Sequence, residues 1–298
     1  MGESIFDFER GFKNGNIVTR LIYVNVGIFV FYSLIGIFLT LFNVSYNPWI
    51  QYLELPTNVT RFIIQPWSII TYMFMHANLL HILFNMLWLY WFGTLFLNFY
   101  SSRHLRGLYV LGGIGGGLLC MLAFNIFPYF ETAVYTSYLI GASASVLAIV
   151  IATAVREPEY SVQFMLIGSV RLKYVALIMI TMDLIFITES NAGGHIAHLG
   201  GALMGCWFAT SLNRGRDITY WINRVIDMLS FSPKGKSGRR KPKMKVHYGN
   251  KQKDYDFNAR RKANDDEIDR ILEKLRKSGY GSLSEEEKKT LFNASKRN

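Results

Sequence analysis

The sequence predicts an all-α polytopic membrane protein: a bundle of six transmembrane helices followed by a small cytoplasmic helical tail. Three observations predict it. Of 298 residues, 51% are hydrophobic and 18% charged, with 25 glycines, a profile that suits a membrane bundle better than a soluble domain. About six apolar runs have the length and low charge of a membrane span, for which roughly 18 residues is the usual guide. The net charge of +11 sits at one end: residues 213–298 hold 23 Lys+Arg and 12 Asp+Glu, whereas residues 1–212 hold 9 of each.

Taken in order, residues 1–20 form a polar segment with Arg10, Lys13 and Arg20. Nothing in it resembles a cleavable leader, so the first apolar run is expected to remain as a span. The predicted membrane core is 21–212. Span one covers 21–42, and a loop over 43–66 carries Pro48, Trp49 and Pro56. Span two covers 67–96 and is long enough to tilt. A polar turn with Ser101, Arg103, His104 and Arg106 precedes span three, 108–127, whose glycines at 112, 113, 115, 116 and 117 let another backbone come close. Spans four, five and six cover 138–155, 174–188 and 194–212. Arg156, Glu157 and Pro158 end the fourth, and Arg171 and Lys173 precede the fifth. Cys120 and Cys206 both fall in spans, at a spacing that suggests neither a disulfide nor a metal site.

The segments before span one, between two and three, between four and five, and after six carry nearly all the Lys and Arg; Arg61 is the one basic residue in the other loops. The positive-inside bias then puts both termini in the cytoplasm, and spans two, four and six start at the outer face. Residues 213–263 read as an amphipathic helix over 217–231, with Trp221, Ile222, Val225, Ile226 and Leu229 on its apolar face, then a basic linker. Residues 264–298 read as a helical hairpin, with Ile268, Ile271, Leu272 and Leu275 on one face, Gly279 as a stop and Ser284 with Glu287 as a capping box. The tail's expected partner is anionic lipid or a cytoplasmic protein. Nucleic acid is the less natural reading beside a membrane.

Polar residues at matched depth carry the chemistry. His76, His81 and Asn85 lie in the outer half of span two, Ser143 one to two turns into span four, and His195 and His198 in the first turns of span six. Buried polar groups in a membrane are costly and usually face the bundle interior. Ser143 stands in Gly141-Ala142-Ser143-Ala144-Ser145, where small neighbours leave room for a substrate carbonyl. It can be helix glue or, given a base, a nucleophile. Ser145 is assigned to packing. Ala197, Gly201 and Gly205 form a small-residue stripe that matches Ala144, Ala148 and Ala152, so spans four and six are expected to pack closely and bring His198 beside Ser143. His195, on a neighbouring face, is the alternative base. His81 and Asn85 share one face of span two as oxyanion donors, with the Ser143 N–H as another. Asp183 reads as too deep to orient a histidine, so a Ser–His dyad is expected rather than a triad.

Three motifs resemble the rhomboid family of intramembrane serine proteases. His76-Ala77-Asn78-Leu79-Leu80-His81-Ile82-Leu83-Phe84-Asn85 is similar to the family's histidine-and-asparagine helix. Gly141-Ala142-Ser143-Ala144 is similar to its GxSx nucleophile motif, and the run from Ala197 through His198, Gly201 and Gly205 to its AHxxGxxxG base helix. The last motif selects His198 over His195, which lacks glycine at both +3 and +7. The resemblance covers about residues 20–212. It implies a six-helix rhomboid-like bundle with a water-filled cavity, and hydrolysis of peptide bonds in or near transmembrane helices of protein substrates without metal or cofactor. Ser143 and His198 would be catalytic, His81 and Asn85 would hold the oxyanion, and His76, Gly141, Gly201 and Gly205 would support the site. The chain departs from the family pattern at Ser68 after Trp67, at Leu97, at Ala144 and at Leu147. The tail is similar to the C-terminal extension of some bacterial rhomboids, which implies a bacterial inner membrane. Two other readings are a catalytically inactive relative that binds membrane helices and a transporter with a proton path through His76, His81, Asp183 and His198.

Overall fold

A computed structural model of the chain describes residues 15–45, 47–164, 168–189, 191–229 and 251–295. The start of the N-terminal segment, with Arg10 and Lys13, and the linker up to residue 250 lie outside the described residues. The chain divides into two compact units, residues 1–231 and 232–298.

The first unit opens with α1, Ile17–Leu41, capped by Asn16, whose side chain accepts a hydrogen bond from Thr19 N. It is apolar all round, and Phe31, Leu34, Phe38 and Leu41 face outward, as expected of a helix solvated by lipid. Its end is a Schellman turn: Asn43 has φ 56°, and Val44 N donates to Leu39 O at 2.9 Å. The next segment, expected as plain loop, holds α2 (Asn47–Gln51), strand β1 (Leu55–Pro56) and α3 (Val59–Ile64).

Span two is not one helix. α4 (Ser68–Thr71) and a 3-10 turn (Tyr72–Phe74) end at Met75, whose backbone is extended. α5 (Leu79–Phe96) then starts afresh, with Asn78 accepting from His81 N at 2.9 Å. His76 therefore sits in the break before α5 rather than on its helix, because Asn78 is a strong N-cap and supplies a new start. α6 (Ser102–Ile126) follows, capped by Ser101.

Span four also departs from expectation. Its first residues are strand β2, Tyr138–Leu139, paired antiparallel with β1 and steadied by Arg61, which bonds Tyr138 OH. Helix α7, Ser143–Arg156, begins at the serine itself, so Ser143 is not one to two turns in. The 14 residues of α7 span about 21 Å, short of a hydrocarbon core of roughly 30 Å. The extended 138–142 segment supplies further length. Its backbone is tolerable there because it is paired with β1, because Gly141 N donates to Tyr72 O at 2.9 Å, and because it lines a cavity. β3 (Ser161–Phe164) and β4 (Gly168–Arg171) form a ribbon, also unexpected, before α8 (Leu172–Ile185) and α9 (Ala192–Asn213).

Among the described residues of this unit, six long helices, α1 and α5 through α9, make the membrane bundle; α1, α5 and α6 are each long and apolar enough to cross a bilayer alone. At its centre α6, α7 and α9 meet almost backbone to backbone. A Cβ on Gly112 would lie 2.5 Å from Ala148 Cβ, one on Gly116 2.6 Å from Ala144 Cβ, and one on Gly200 2.6 Å from Gly115 O. Gly201 and Gly205 abut the Ala144 and Ala148 carbonyls in the same way. α7, the most enclosed helix, is buried from Ala144 through Ala154. This is the close pairing the small-residue stripes predicted.

α10 (Tyr220–Leu229) closes the unit against the start of α6. Asn223 Nδ2 donates to Arg103 O at 3.0 Å, Arg106 Nε donates to Asn223 Oδ1 at 2.9 Å, and Asp227 pairs with both arginines. The predicted apolar face divides here: Ile222 is buried against the bundle, whereas Trp221, Val225 and Leu229 are exposed.

The second unit is a hairpin of α11 (Lys251–Ser278) and α12 (Glu285–Ser295). α11 starts within the stretch expected as linker, since Lys251 to Ala263 continue the helix. Ile271 and Leu283 form its small core, and Gly279, φ 75°, ends α11. Ser284 N donates to Glu287 Oε2 at 2.8 Å and Glu287 N to Ser284 Oγ at 3.3 Å, the capping box expected from the sequence. Lys274 and the Ser284 N–H hold the Glu287 carboxyl below the usual carboxylate range.

Candidate active site

A cavity of about 960 Å³ opens between α5, α7 and α9, under the loops before α7 and α9. His81, Asn85, Ser143 and His198 all line it, together with apolar Phe130 and Ile140 and polar Glu189 and Asn191. Four of the residues singled out by depth therefore share one water-accessible space.

Ser143 is the first residue of α7. The first backbone bond of that helix runs from Val146 N to Ala142 O at 2.9 Å, so the Ser143 N–H precedes the helical ladder. The positive end of the helix dipole lies at the same point. The hydroxyl opens into the cavity without a direct bond to His198, and such bonds commonly tighten only when substrate docks.

Gly141 makes this geometry possible. Its φ is 120°, a conformation other residues rarely adopt, and a Cβ there would lie 2.9 Å from both Cε1 and Nε2 of His81. Ser143 Oγ is 3.7 Å from the same point. The His81 ring edge and the serine hydroxyl thus flank one glycine. Gly141→Ala is expected to lower the reactivity of the Ser143 hydroxyl at least about tenfold through the strained backbone and the displaced imidazole. Rates of fluorophosphonate labelling on protein shown to be folded by its thermal midpoint check this.

The polar partners have defined roles in the hydrogen-bond network. Ala77 N–H donates to His81 Nδ1 at 3.2 Å, so the neutral ring carries its proton on Nε2, the atom beside Gly141. Asn85 spends one amide hydrogen on His81 O at 2.8 Å and keeps the other for the cavity. His76 is buried with its ring edge-on to His81, centroids 5.1 Å apart. Its backbone N–H donates to Tyr32 OH at 3.0 Å and its carbonyl accepts from the same hydroxyl. His76 and Tyr32 therefore fix the break that precedes α5. Ser145 is fully buried and has no hydrogen-bond partner among the described residues. Leu147 packs in an apolar cluster with Phe92, Val150 and Ala202.

Asp183 corrects the expectation. It was read as too deep to reach a histidine, yet its Oδ1 lies 2.7 Å from His198 Nδ1 and 2.9 Å from His195 Nδ1. α8 packs beside α9 with Asp183 level with both rings. A span over 174–188 places Asp183 deeper than it lies, because the helix ends at Ile185, two residues beyond it. The three ligand atoms lie within 4.8 Å of one another, so this group could meet one metal ion. The Nδ1–Oδ1 separations are those of N–H···O bonds, and two imidazole donors on one carboxylate oxygen account for both.

The Rhomboid domain family matches residues 64–214, a span that includes every residue lining the site except Thr57. A family of unknown function (DUF6576) matches residues 251–297, the hairpin unit. The chain is 26% identical over 158 residues to the RHOMBOID-like protein 12, mitochondrial, of Arabidopsis thaliana. That similarity covers 50% of this chain and 47% of the relative, so the chain spans about half the length of the curated relative it matches.

Proposed function

The chain belongs to the rhomboid family, and from that membership we propose that it is an intramembrane serine endopeptidase cleaving peptide bonds in or near transmembrane segments of protein substrates. The observation that carries this reading is the single cavity that joins Ser143, His198, His81 and Asn85. Ser143 Oγ attacks the scissile carbonyl while His198 Nε2 takes its proton, and His198 later returns that proton to the leaving amine. The oxygen that gains charge meets His81 Nε2–H, the free Asn85 amide hydrogen and the Ser143 N–H. His76, Gly141, Gly201 and Gly205 hold these groups in register. Water for deacylation enters through the cavity. Both termini lie in the cytoplasm by the charge distribution, and α10 rests on the inner membrane surface with Trp221, Val225 and Leu229 toward lipid.

The test is cleavage of a panel of single-span proteins in liposomes, with fragment masses read out. Wild type yields two fragments with ends in or beside the span. His198→Ala is expected to cut at least about 10³-fold more slowly with its thermal midpoint kept. Undiminished cleavage by that variant overturns the assignment of the base.

A further inference from the structure

The mechanism above needs one particular tautomer of His198, and Asp183 is the group positioned to hold it. Its side chain is on α8, 6% exposed, and is the one acidic group of that mostly apolar helix. A buried carboxylate is costly unless N–H donors meet it. Here two donors come from successive turns of one helix, His195 and His198, both through Nδ1 and both to the same oxygen. A carboxylate oxygen only accepts, so Nδ1 of His198 carries a hydrogen. The lone pair is then on Nε2, the nitrogen that must take the Ser143 proton. The bond to Asp183 leaves the imidazole no other tautomer without losing the contact.

We propose that Asp183 is a positioning residue that orients His198 and balances the charge it gains, so that the working unit is Ser143–His198–Asp183 rather than a dyad. This rests on the reading of Ser143 and His198 as nucleophile and base. As the Oγ–carbon bond forms, the Oγ proton passes to His198 Nε2 and the carbonyl electron pair moves to oxygen. The imidazolium keeps its Nδ1–H on Asp183, which stays ionised throughout. When the intermediate collapses, the Nε2 proton leaves with the amine and the carbon–nitrogen bond breaks. His195 transfers no proton: its Nδ1–H braces the shared oxygen from the other side and keeps the carboxylate from turning away.

The experiment uses the full chain in liposomes with a cleaved single-span substrate. Asp183→Asn keeps the shape and removes the charge. It is expected to lower kcat about 100-fold or more with KM within about threefold, and to slow fluorophosphonate labelling of Ser143 in parallel. A merely structural role would instead lower the folded fraction and leave kcat per folded enzyme intact. Because the variant could fail to fold, wild type is also read directly with ¹⁵N-labelled histidine, His198 being assigned by comparison with His198→Gln. Protonated Nδ1 and bare Nε2 on neutral His198 support the proposal; the opposite tautomer overturns it, as does an Asp183→Asn kcat within threefold of wild type. If wild type neither cleaves nor labels, the protease reading fails by itself, and the tautomer measurement still decides whether Asp183 orients His198.

Discussion

Ser143→Ala is expected to abolish cleavage: at least about 10⁴-fold off kcat. The size follows from what is lost. The oxyanion donors, the cavity and the base all remain, but no bond can form to the substrate carbonyl, and residual catalysis comes from polarisation alone. The substitution should be structurally mild. Ser143 is only half buried and begins α7 without capping it, and alanine already stands on both sides of it. Protein yield and thermal midpoint should match wild type, and substrate should still bind. Cleavage assays beside a binding measurement on the same preparation check this. Persisting cleavage would move the nucleophile elsewhere.

Gly201→Ala is expected to destabilise the bundle although it adds only one methyl group. Two effects compete. Alanine favours a helix interior over glycine by about 1 kcal/mol. Against that, the new Cβ would fall onto the Ala144 carbonyl, 2.8 Å from its carbon, on a backbone that cannot turn aside. Overpacking of this kind costs about 3 kcal/mol, since the yielding atoms are main chain rather than a side-chain tip. The net, about 2 kcal/mol, corresponds to a fall of roughly 4–8 °C in thermal midpoint for a unit of this size. Cleavage should fall further than stability does, because Ala144 follows Ser143 and Gly201 lies one turn below His198. Separating α7 from α9 separates nucleophile from base. Thermal unfolding and activity of Gly201→Ala, with Gly27→Ala as a control where nothing lies within 4 Å, check both parts.

The parts of the site legible in the sequence were those written as local spacing. Ala197, Gly201 and Gly205 recur at one helix face and so announced a close partner. His81 and Asn85 stand one turn apart, and Ser143 is framed by small residues. The parts that were not legible depend on where helices start and how they slide. Tyr138, Leu139 and Ile140 are as apolar as any span residue, so pairing with Leu55 and Pro56 was invisible and α7 seemed to begin earlier. The one local hint was Gly141, which takes a φ open to few other residues. Asn78 was a recognisable cap inside an apolar run, yet hydropathy alone joined the two sides of it. Asp183 was discounted because its rotation and height relative to His198 are set by the packing of α8 on α9. Nothing in the residues near position 183 encodes that register. The start of α11 at Lys251 is illegible for a different reason: Lys, Gln, Arg and Ala favour helix well enough, but without an apolar stripe there is no periodicity to read.

Whether Ser143 is a nucleophile activated from α9 is decided most directly by covalent labelling. Wild type, Ser143→Ala and His198→Ala are treated with a fluorophosphonate in liposomes, and the adduct is located by peptide mass. The account predicts a covalent phosphonyl adduct on Ser143 in wild type, none in Ser143→Ala, and labelling slowed at least about 100-fold in His198→Ala. A folded wild type that takes no label on Ser143, or labels equally fast without His198, would contradict it and leave a membrane-helix-binding member of the family.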